Sequence, residues 1–197
     1  MAHACPGIGE MRGAFQLSRK YRMHESMTEE LRIRRRHRLR QKELVNLSSV
    51  LDSELGTTSF SSSDPVETAE VYGLEQNVYI LVDEIVALEI DGRPFLSLPG
   101  LLKYGASKRH VTVDSGAVGF VVNGADIMGP GVVGGDGAVL KGQIVWIREE
   151  KYGRALAIGR SIVDGAMFGR KEKGKCVESL FYVGDKLWKL NDALKHL

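Results

Sequence analysis

The sequence has few of the residues that build metal centres, disulfide frameworks or membrane spans. Its only cysteines, Cys5 and Cys176, lie far apart and in no CxxC or Cys/His cluster. Such isolated thiols are typical of reduced cysteines in an intracellular protein, so we expect a cytoplasmic location. No apolar run approaches the roughly 20 residues of a membrane-spanning helix. We therefore expect no membrane partner, no metal and no cofactor.

The residue sets of common catalytic sites are missing as well. The sequence contains no Ser/His/Asp set and no phosphate-binding P-loop motif, and His24 and His37 are isolated. One group of carboxylates surrounds a predicted hairpin: Asp83, Glu84, Glu89 and Asp91. Strand alternation would spread these side chains over both faces of a sheet, so they do not converge. We expect that the protein is not an enzyme.

Glycine, in contrast, is abundant. The chain of 197 residues contains 23 glycines, well above the average usage of about 7%. This density predicts many turns and bulges and favours small β-structures over long helices. The length suffices for one domain or for two small ones of roughly 90 residues each.

Charge is distributed unevenly along the chain. Residues 1–105 contain 13 Lys and Arg against 15 Asp and Glu, whereas residues 106–197 contain 14 against 10. The basic second half permits a nucleic-acid surface, although a mixed-charge solvated surface is the alternative. Six arginines fall within residues 32–40, and residues 28–40 could form a helix or an edge strand. These arginines are either a solvated face or a contact to RNA phosphates.

The first half predicts a small α+β arrangement. Leucines at helical spacing favour a helix over residues 41–55 that Gly56 ends. Apolar β-branched runs favour strands, and Asp91-Gly92 is typical of a tight hairpin turn. The predicted strands are 66–71, 78–82, 85–90 and 94–96, and a short helix is predicted over 99–104.

The second half predicts a small β-barrel with one short helix, because short strands recur about every 10 residues between glycine turns. The predicted strands are 110–113, 125–128, 143–148, 154–160 and 175–183, with a helix at 115–122 and turns at 129–139. Residues 129–134 match G-x-G-x-x-G as a string. We reject a dinucleotide site, because the following residues are extended and not helical. Gly129 and Gly131 flank a proline, which predicts a rigid turn where backbone can approach a ligand closely.

The same half carries several linked sequence blocks. They are Asp114, Gly116-Ala117, Gly124-Ala125-Asp126-Ile127-Met128, Pro130-Gly131-Val132, and residues 142–147, 155–159 and 174–188. Together these blocks resemble the PUA domain, an RNA-binding pseudobarrel, over roughly residues 108–188. The resemblance implies an α+β fold in which a C-terminal PUA β-pseudobarrel binds RNA.

Two further stretches, LEIDGRPFLSLPGLLKY and FYVGDKLW, narrow the resemblance. They are similar to the malignant-T-cell-amplified-sequence and Tma-twenty type proteins and their archaeal relatives, which carry a small α+β pre-PUA domain before the PUA domain. This resemblance implies a pre-PUA domain at 27–106 and a PUA domain at 107–197. It has no counterpart to residues 1–26, which we expect to be a disordered extension or to follow from a misassigned start codon. It also implies an RNA partner (rRNA or tRNA), the small ribosomal subunit, and a role in translation initiation or recycling beside a SUI-one-like factor.

The PUA resemblance also indicates which residues contact RNA. The short helix and the neighbouring strand implicate Ser115, Gly116, Ala117, Gly124, Ala125, Met128, Gly131 and Val132. The cations expected to contact phosphates are Lys108, Arg109, Arg160, Lys171, Lys173 and Lys175. Tyr152, Phe168 and Tyr182 are candidates for stacking on bases. The alternatives are that these residues only build the barrel, that the chain is part of an RNA-modification enzyme, or that it is a protein-docking module on the ribosome.

Overall fold

The computed structural model describes residues 31–74 and 76–196; the expected extension 1–26, with Cys5 and His24, lies outside them. The first half of the described chain forms a five-stranded antiparallel sheet with two helices. Its elements are β1 (Arg32–Arg38), α1 (Gln41–Leu55), β2 (Val66–Tyr72), β3 (Asn77–Leu81), β4 (Glu84–Ile90), β5 (Arg93–Leu96) and α2 (Leu98–Tyr104). The strands lie side by side in chain order, with β1 and β5 at the edges.

The helix α1 has the predicted bounds. Leu44, Leu47, Leu51 and Leu55 are buried, which is the apolar stripe that the leucine spacing predicts. Gly56 ends the helix in the left-handed conformation with φ 61°, and its N–H donates to the carbonyl oxygen of Asp52 at 2.9 Å. Local sequence alone is therefore sufficient to define this element.

The hairpin between β4 and β5 also follows the prediction. Asp91 and Gly92 have φ values of 54° and 72°, and two consecutive positive φ angles suit the twist of a two-residue hairpin. Val82 and Asp83 form a second such turn, with φ values of 48° and 59°, so β3 ends one residue earlier than expected.

The arginine-rich segment forms a strand, which decides between the two predicted alternatives. β1 pairs with β2 in antiparallel register, with Arg32 opposite Tyr72 and Arg34 opposite Glu70. The register shifts between Arg34 and His37, which marks a β-bulge. A strand prevails because pairing with β2 satisfies its backbone on one side while its long polar side chains remain exposed.

The second half forms a six-stranded sheet in the order β7-β11-β10-β9-β6-β8. Its elements are β6 (His110–Val113), α3 (Ser115–Val121), β7 (Ile127–Met128), β8 (Val132–Gly135), β9 (Ile144–Glu149), β10 (Ala155–Ser161), β11 (Lys175–Tyr182) and α4 (Lys186–Leu194). The outermost strands β7 and β8 are joined by a single 3-10 turn, Gly129–Gly131, so the two edges of the sheet meet. The sheet is therefore barrel-like and nearly closed, and the predicted α+β class is confirmed.

Two elements of this half differ from the sequence expectations. β8 was expected to be part of a turn segment, but it pairs with β6 because closing the barrel needs a strand there. The exposed Gly135 fits this place because a Cβ would lie 2.6 Å from the Phe168 ring. The sequence patterns did not predict the helix α4; they indicated only that the apolar pair Leu187-Trp188 closes the domain. Asp185 caps α4 by accepting a hydrogen bond from the Trp188 N–H at 2.7 Å.

One hydrophobic cluster spans the two halves, and the second half has a further cluster of its own. A single cluster of buried side chains contains Ile85 and Leu88 of the first sheet together with Ile158 and Phe181 of the second. Asn191 of α4 is buried, and its side-chain oxygen accepts a hydrogen bond from the Ile85 backbone N–H at 2.7 Å. The chain crosses from one sheet to the other between α2 and β6, which is where the predicted boundary at 106/107 falls. The division into domains itself stays a prediction.

Candidate nucleic-acid interface

The helix α3 presents a surface that is poor in side chains. Asp114 caps it by accepting the Ala117 N–H at 2.9 Å, and Val121 anchors its buried side. Ser115, Gly116 and Phe120 are exposed, and Phe120 keeps 70% of its surface in contact with solvent. Gly116 and Phe120 are four residues apart and therefore lie on one helix face. This face offers backbone and one aromatic ring to a ligand.

A glycine-proline-glycine turn lies beside this helix. The Gly131 carbonyl accepts the Asp114 N–H at 3.0 Å, and a Cβ at Gly131 would lie 3.0 Å from the Cβ of Ala117. Gly131 does not adopt a positive φ. The position therefore favours glycine because of close packing and not because of a left-handed backbone. On the other side, a Cβ at Gly129 would lie 2.0 Å from the Glu172 carbonyl oxygen. The turn is thus packed between α3 and the loop that contains Glu172.

That loop carries the main group of cations. Arg170, Lys171, Lys173 and Lys175 are exposed, and the Gly174 carbonyl accepts the Gly129 N–H at 2.8 Å. We call residues 170–175 the basic loop. Lys175 forms an ion pair with Asp126, which reduces its capacity for another anion. Beneath the loop, burial raises the pKa of the Cys176 thiol.

Three of the predicted cations are engaged elsewhere, at the junction of the two halves. Lys108 Nζ donates to the Ser53 carbonyl at 2.8 Å, and Arg109 forms an ion pair with Glu54. Arg160 reaches across to the first sheet and pairs with Asp91 at 2.7 Å. These contacts hold the halves together, so the structure does not bring these cations to the α3 surface as free charges.

The remaining predicted residues differ in exposure. Ala125 and Met128 are exposed, Met128 by 50%, whereas Gly124 and Ala117 are half-buried. Gly124 has a φ of 81°, the left-handed stop that Asn123-Gly124 predicts. Val132 is only 1% exposed, so its side chain is a core residue of the barrel. The RNA-contact role of every predicted site residue stays a prediction.

Of the three aromatic candidates, one is free to stack. Tyr152 is 67% exposed at the hairpin between β9 and β10, with the Lys151 ammonium 4.9 Å and the Arg154 guanidinium 5.9 Å from its ring centroid. Phe168 packs on Gly135, and Tyr182 packs under Gly124. Both rings therefore help to build the barrel.

The hairpin with Tyr152 lies next to the start of α3. The Glu150 N–H donates to the Val113 carbonyl at 3.0 Å, one residue before the helix cap. Sequence reasoning did not assign an exposed role to Phe120, although its spacing from Gly116 was a usable signal. The surface therefore has an aromatic side chain at two places, on α3 and on the neighbouring hairpin.

Within residues 31–74 and 76–106, the structure shows no convergent set of reactive groups. Asp83 pairs with Arg36, Glu84 pairs with Lys103 and Lys195, and Asp91 pairs with Arg160. Glu89 accepts hydrogen bonds from Tyr79 and Asn77, and burial together with this contact raises the pKa of Tyr79. Within residues 31–74 and 76–196, no group of His, Cys, Asp and Glu has the arrangement of a metal site. Over the same ranges, no helix is long and apolar enough to cross a bilayer.

Comparison with known proteins identifies the second half. The PUA domain family matches residues 109–183, which span the sheet from the start of β6 to the end of β11. A crystal structure of a hypothetical protein from Pyrococcus horikoshii has a TM-score of 0.70 and 29% identity, over 80% of this chain and 99% of that chain. The fold and the match together define a PUA-domain protein, and the PUA domain is an RNA-binding fold.

Relatives whose matches are longer than the PUA domain extend this identification. An uncharacterized protein of Methanocaldococcus jannaschii is 31% identical over 80% of this chain and 98% of its own length. Translation machinery-associated protein 20 of Schizosaccharomyces pombe is 33% identical over 57% of this chain. The match spans 65% of that yeast protein, just under two thirds of its length. This chain belongs to the family of PUA-domain proteins that includes translation machinery-associated protein 20, the malignant T-cell-amplified sequence proteins and their archaeal relatives.

Proposed function

We propose that this chain binds RNA through one continuous surface of its second half and acts in translation. We define the PUA surface as the exposed face of α3, the Gly129–Gly131 turn and the basic loop. The observation that carries the proposal is that backbone hydrogen bonds of 3.0 Å and 2.8 Å join the turn to the start of α3 and to the basic loop. A surface that presents mainly backbone and is bordered by exposed cations suits the close approach of a sugar-phosphate backbone.

Each part of the PUA surface has a distinct role in this proposal. Lys171 and Lys173 neutralise phosphates, because among the residues that the structure describes neither has an ion-pair partner. Gly116 and the Gly129–Gly131 turn let the RNA come close enough for main-chain contacts. Phe120, and Tyr152 at the adjacent hairpin, stack on unpaired bases, which favours single-stranded or looped RNA.

The family supports a role on the translation apparatus. Its named members include translation machinery-associated proteins, and we propose that this chain binds rRNA of the small ribosomal subunit or tRNA during initiation or recycling. A SUI-one-like factor is the expected protein partner. Sedimentation of the chain with purified small ribosomal subunits tests this step, and failure to co-sediment in the presence of tRNA and subunits contradicts it.

We propose binding and not catalysis, because the four candidate carboxylates are engaged in ion pairs and hydrogen bonds with other side chains; they are Asp83, Glu84, Glu89 and Asp91. An RNA-modification activity would leave a chemical change in RNA. Mass spectrometry of nucleosides from cells that lack the gene detects such a change. A modification lost in those cells and restored by the purified chain would overturn this part of the proposal.

The direct test replaces Lys171 and Lys173, two exposed lysines of the basic loop that have no ion-pair partner among the described residues. In Lys171→Gln/Lys173→Gln, two phosphate contacts are lost while the Lys175–Asp126 pair is kept. Each phosphate contact contributes about 0.7 to the slope of log affinity against log salt for single strands, so the slope should shrink by about 1.4. Binding of fluorescein-labelled oligouridine, followed by fluorescence anisotropy over a salt series, measures this slope.

The matched control is Lys186→Gln/Lys189→Gln, which removes the same charge from exposed positions of α4. This helix packs against the first sheet through Asn191 and not against the PUA surface. The control should keep the wild-type slope. An equal loss of slope in both variants would show that net charge, and not the basic loop, governs binding, and would refute the proposed site.

A further inference from the structure

The edge strand β1 is the second concentration of positive charge in the chain. It pairs with β2 on one side, and each of its five arginines is exposed. Arg40 follows directly and is exposed as well. We call Arg32–Arg38, Arg40 and the adjoining part of β2 the arginine edge.

Ion pairs within the sheet take up only part of this charge. Arg35 pairs with Glu70 at 3.3 Å, and Arg36 pairs with both Glu67 and Asp83. Among the residues that the structure describes, no carboxylate pairs with Arg34, Arg38 or Arg40. Exposed ion pairs are worth little, so a polyanion can also compete for the paired arginines.

An aromatic ring and amide groups lie next to these arginines. The guanidinium carbon of Arg34 lies 4.4 Å from the centroid of the Tyr72 ring, and Tyr72 is 41% exposed. Arg34 and Tyr72 border an open depression whose lining also includes Gln76 and Asn77. Stacking on a tyrosine with hydrogen bonds to amides is how proteins hold an unpaired base, while arginine forks hold its phosphates.

A protein strand is a less suitable occupant of this edge. Two residues, Arg35 and Arg36, face a single residue of β2 at the bulge, and Arg35 has a positive φ of 49°. A bulge interrupts the regular row of donors and acceptors that an added strand would need. Charge at the edge also discourages strand addition, so backbone pairing with a peptide is disfavoured while side-chain contacts to phosphates are not.

We propose that the arginine edge is a second RNA-binding surface, which takes the phosphates of a single-stranded or looped RNA on its arginines and an unpaired base on Tyr72. The inference rests on the proposed function, because it takes RNA as the ligand of this chain. It assigns RNA binding to a second, different part of the molecule. The second half contacts the first sheet at β4, through the hydrogen bond between Asn191 of α4 and Ile85. β1 lies at the edge of this sheet, three strands away from β4, so the arginine edge is separate from the PUA surface. Because one hydrophobic cluster spans both halves, the two surfaces are held in a fixed geometry and can bind one RNA together.

The test uses the full chain and fluorescein-labelled oligouridine. Arg34→Gln/Arg38→Gln should reduce the slope of log affinity against log salt by about 1.4, as for the loss of any two single-strand phosphate contacts. Tyr72→Leu should weaken binding about fivefold or more at fixed salt, since a stacked base is lost. Lys186→Gln/Lys189→Gln is again the control of equal charge, and thermal unfolding verifies that each variant folds like the wild type.

The outcomes separate the two proposals. An unchanged slope in the arginine variant, with a reduced slope in Lys171→Gln/Lys173→Gln, would overturn the arginine edge and leave the PUA surface standing. A reduced slope in the arginine variant alone would support the arginine edge and contradict the PUA surface. If the arginine variant keeps oligouridine binding and loses binding of labelled poly-glutamate, an acidic protein is the occupant and the proposal is wrong.

Discussion

Gly129 joins the Gly-Pro-Gly turn to the basic loop, and replacing it with alanine should disturb both. An alanine Cβ would lie 2.0 Å from the Glu172 carbonyl oxygen and 3.2 Å from the Cys176 sulfur, whereas ordinary contacts begin near 3.4 Å. The nearest obstacle is backbone, so one of the two segments must move by more than an ångström. Overpacking of this kind costs about 1–3 kcal/mol. For a chain of this size the melting temperature should fall by roughly 2–12 °C.

Thermal and urea unfolding measure this loss, and Gly119→Ala is the matched control. Gly119 lies in α3, and a Cβ there meets nothing within 4 Å. Alanine at that site should raise stability by up to about 1 kcal/mol, because glycine is a poor helix former. Oligouridine affinity of Gly129→Ala should also fall, since the displaced loop carries Lys171 and Lys173. A melting temperature equal to that of the wild type would refute the packing that defines the PUA surface.

Three further predictions concern the aromatic surface, the junction and pH. Phe120→Ala should weaken oligouridine binding by about 1–3 kcal/mol without loss of stability, because its ring is exposed. Asn191→Ala should lower the free energy of unfolding by about 1–3 kcal/mol, because it leaves the buried Ile85 N–H without its acceptor. Burial, reinforced by the charge of Arg148, lowers the pKa of His110. Stability should therefore fall as pH drops below about 6.5, since the unfolded chain takes up the proton first.

Each of these predictions has a control in the chain. Leu140→Ala removes another exposed apolar side chain, 61% exposed against 70% for Phe120, and should leave RNA affinity unchanged. Asp192→Ala truncates the exposed neighbour of Asn191 and should cost little stability. His110→Gln should flatten the loss of stability as the pH falls below about 6.5. A control variant that shows the effect expected of its partner, or a partner that lacks this effect, would contradict the corresponding prediction.

The cations of the second half illustrate how far sequence reasoning reaches into the site. The sequence identifies Lys108, Arg109 and Arg160 as basic, but it does not show where each guanidinium or ammonium lies. In the folded chain, these three cationic side chains bind groups that are distant in sequence: Glu54, Asp91 and the Ser53 carbonyl. The same holds for Val132. Its motif predicts a place at the RNA surface, but the closure of the barrel buries its side chain. A residue's type is local information, whereas its partner is set by long-range packing.

The sequence by itself determined the elements whose causes are local. Leucine periodicity with a terminal glycine defined α1, Asp91-Gly92 defined its hairpin, and the linked glycine blocks indicated a PUA domain, because a few neighbouring residues fix each backbone conformation. Only the tertiary structure decided that 132–135 is a strand, that the arginine run forms a sheet edge, and which cations remain available to an anion. Those outcomes depend on groups brought together from distant parts of the chain, and no short window of sequence contains them.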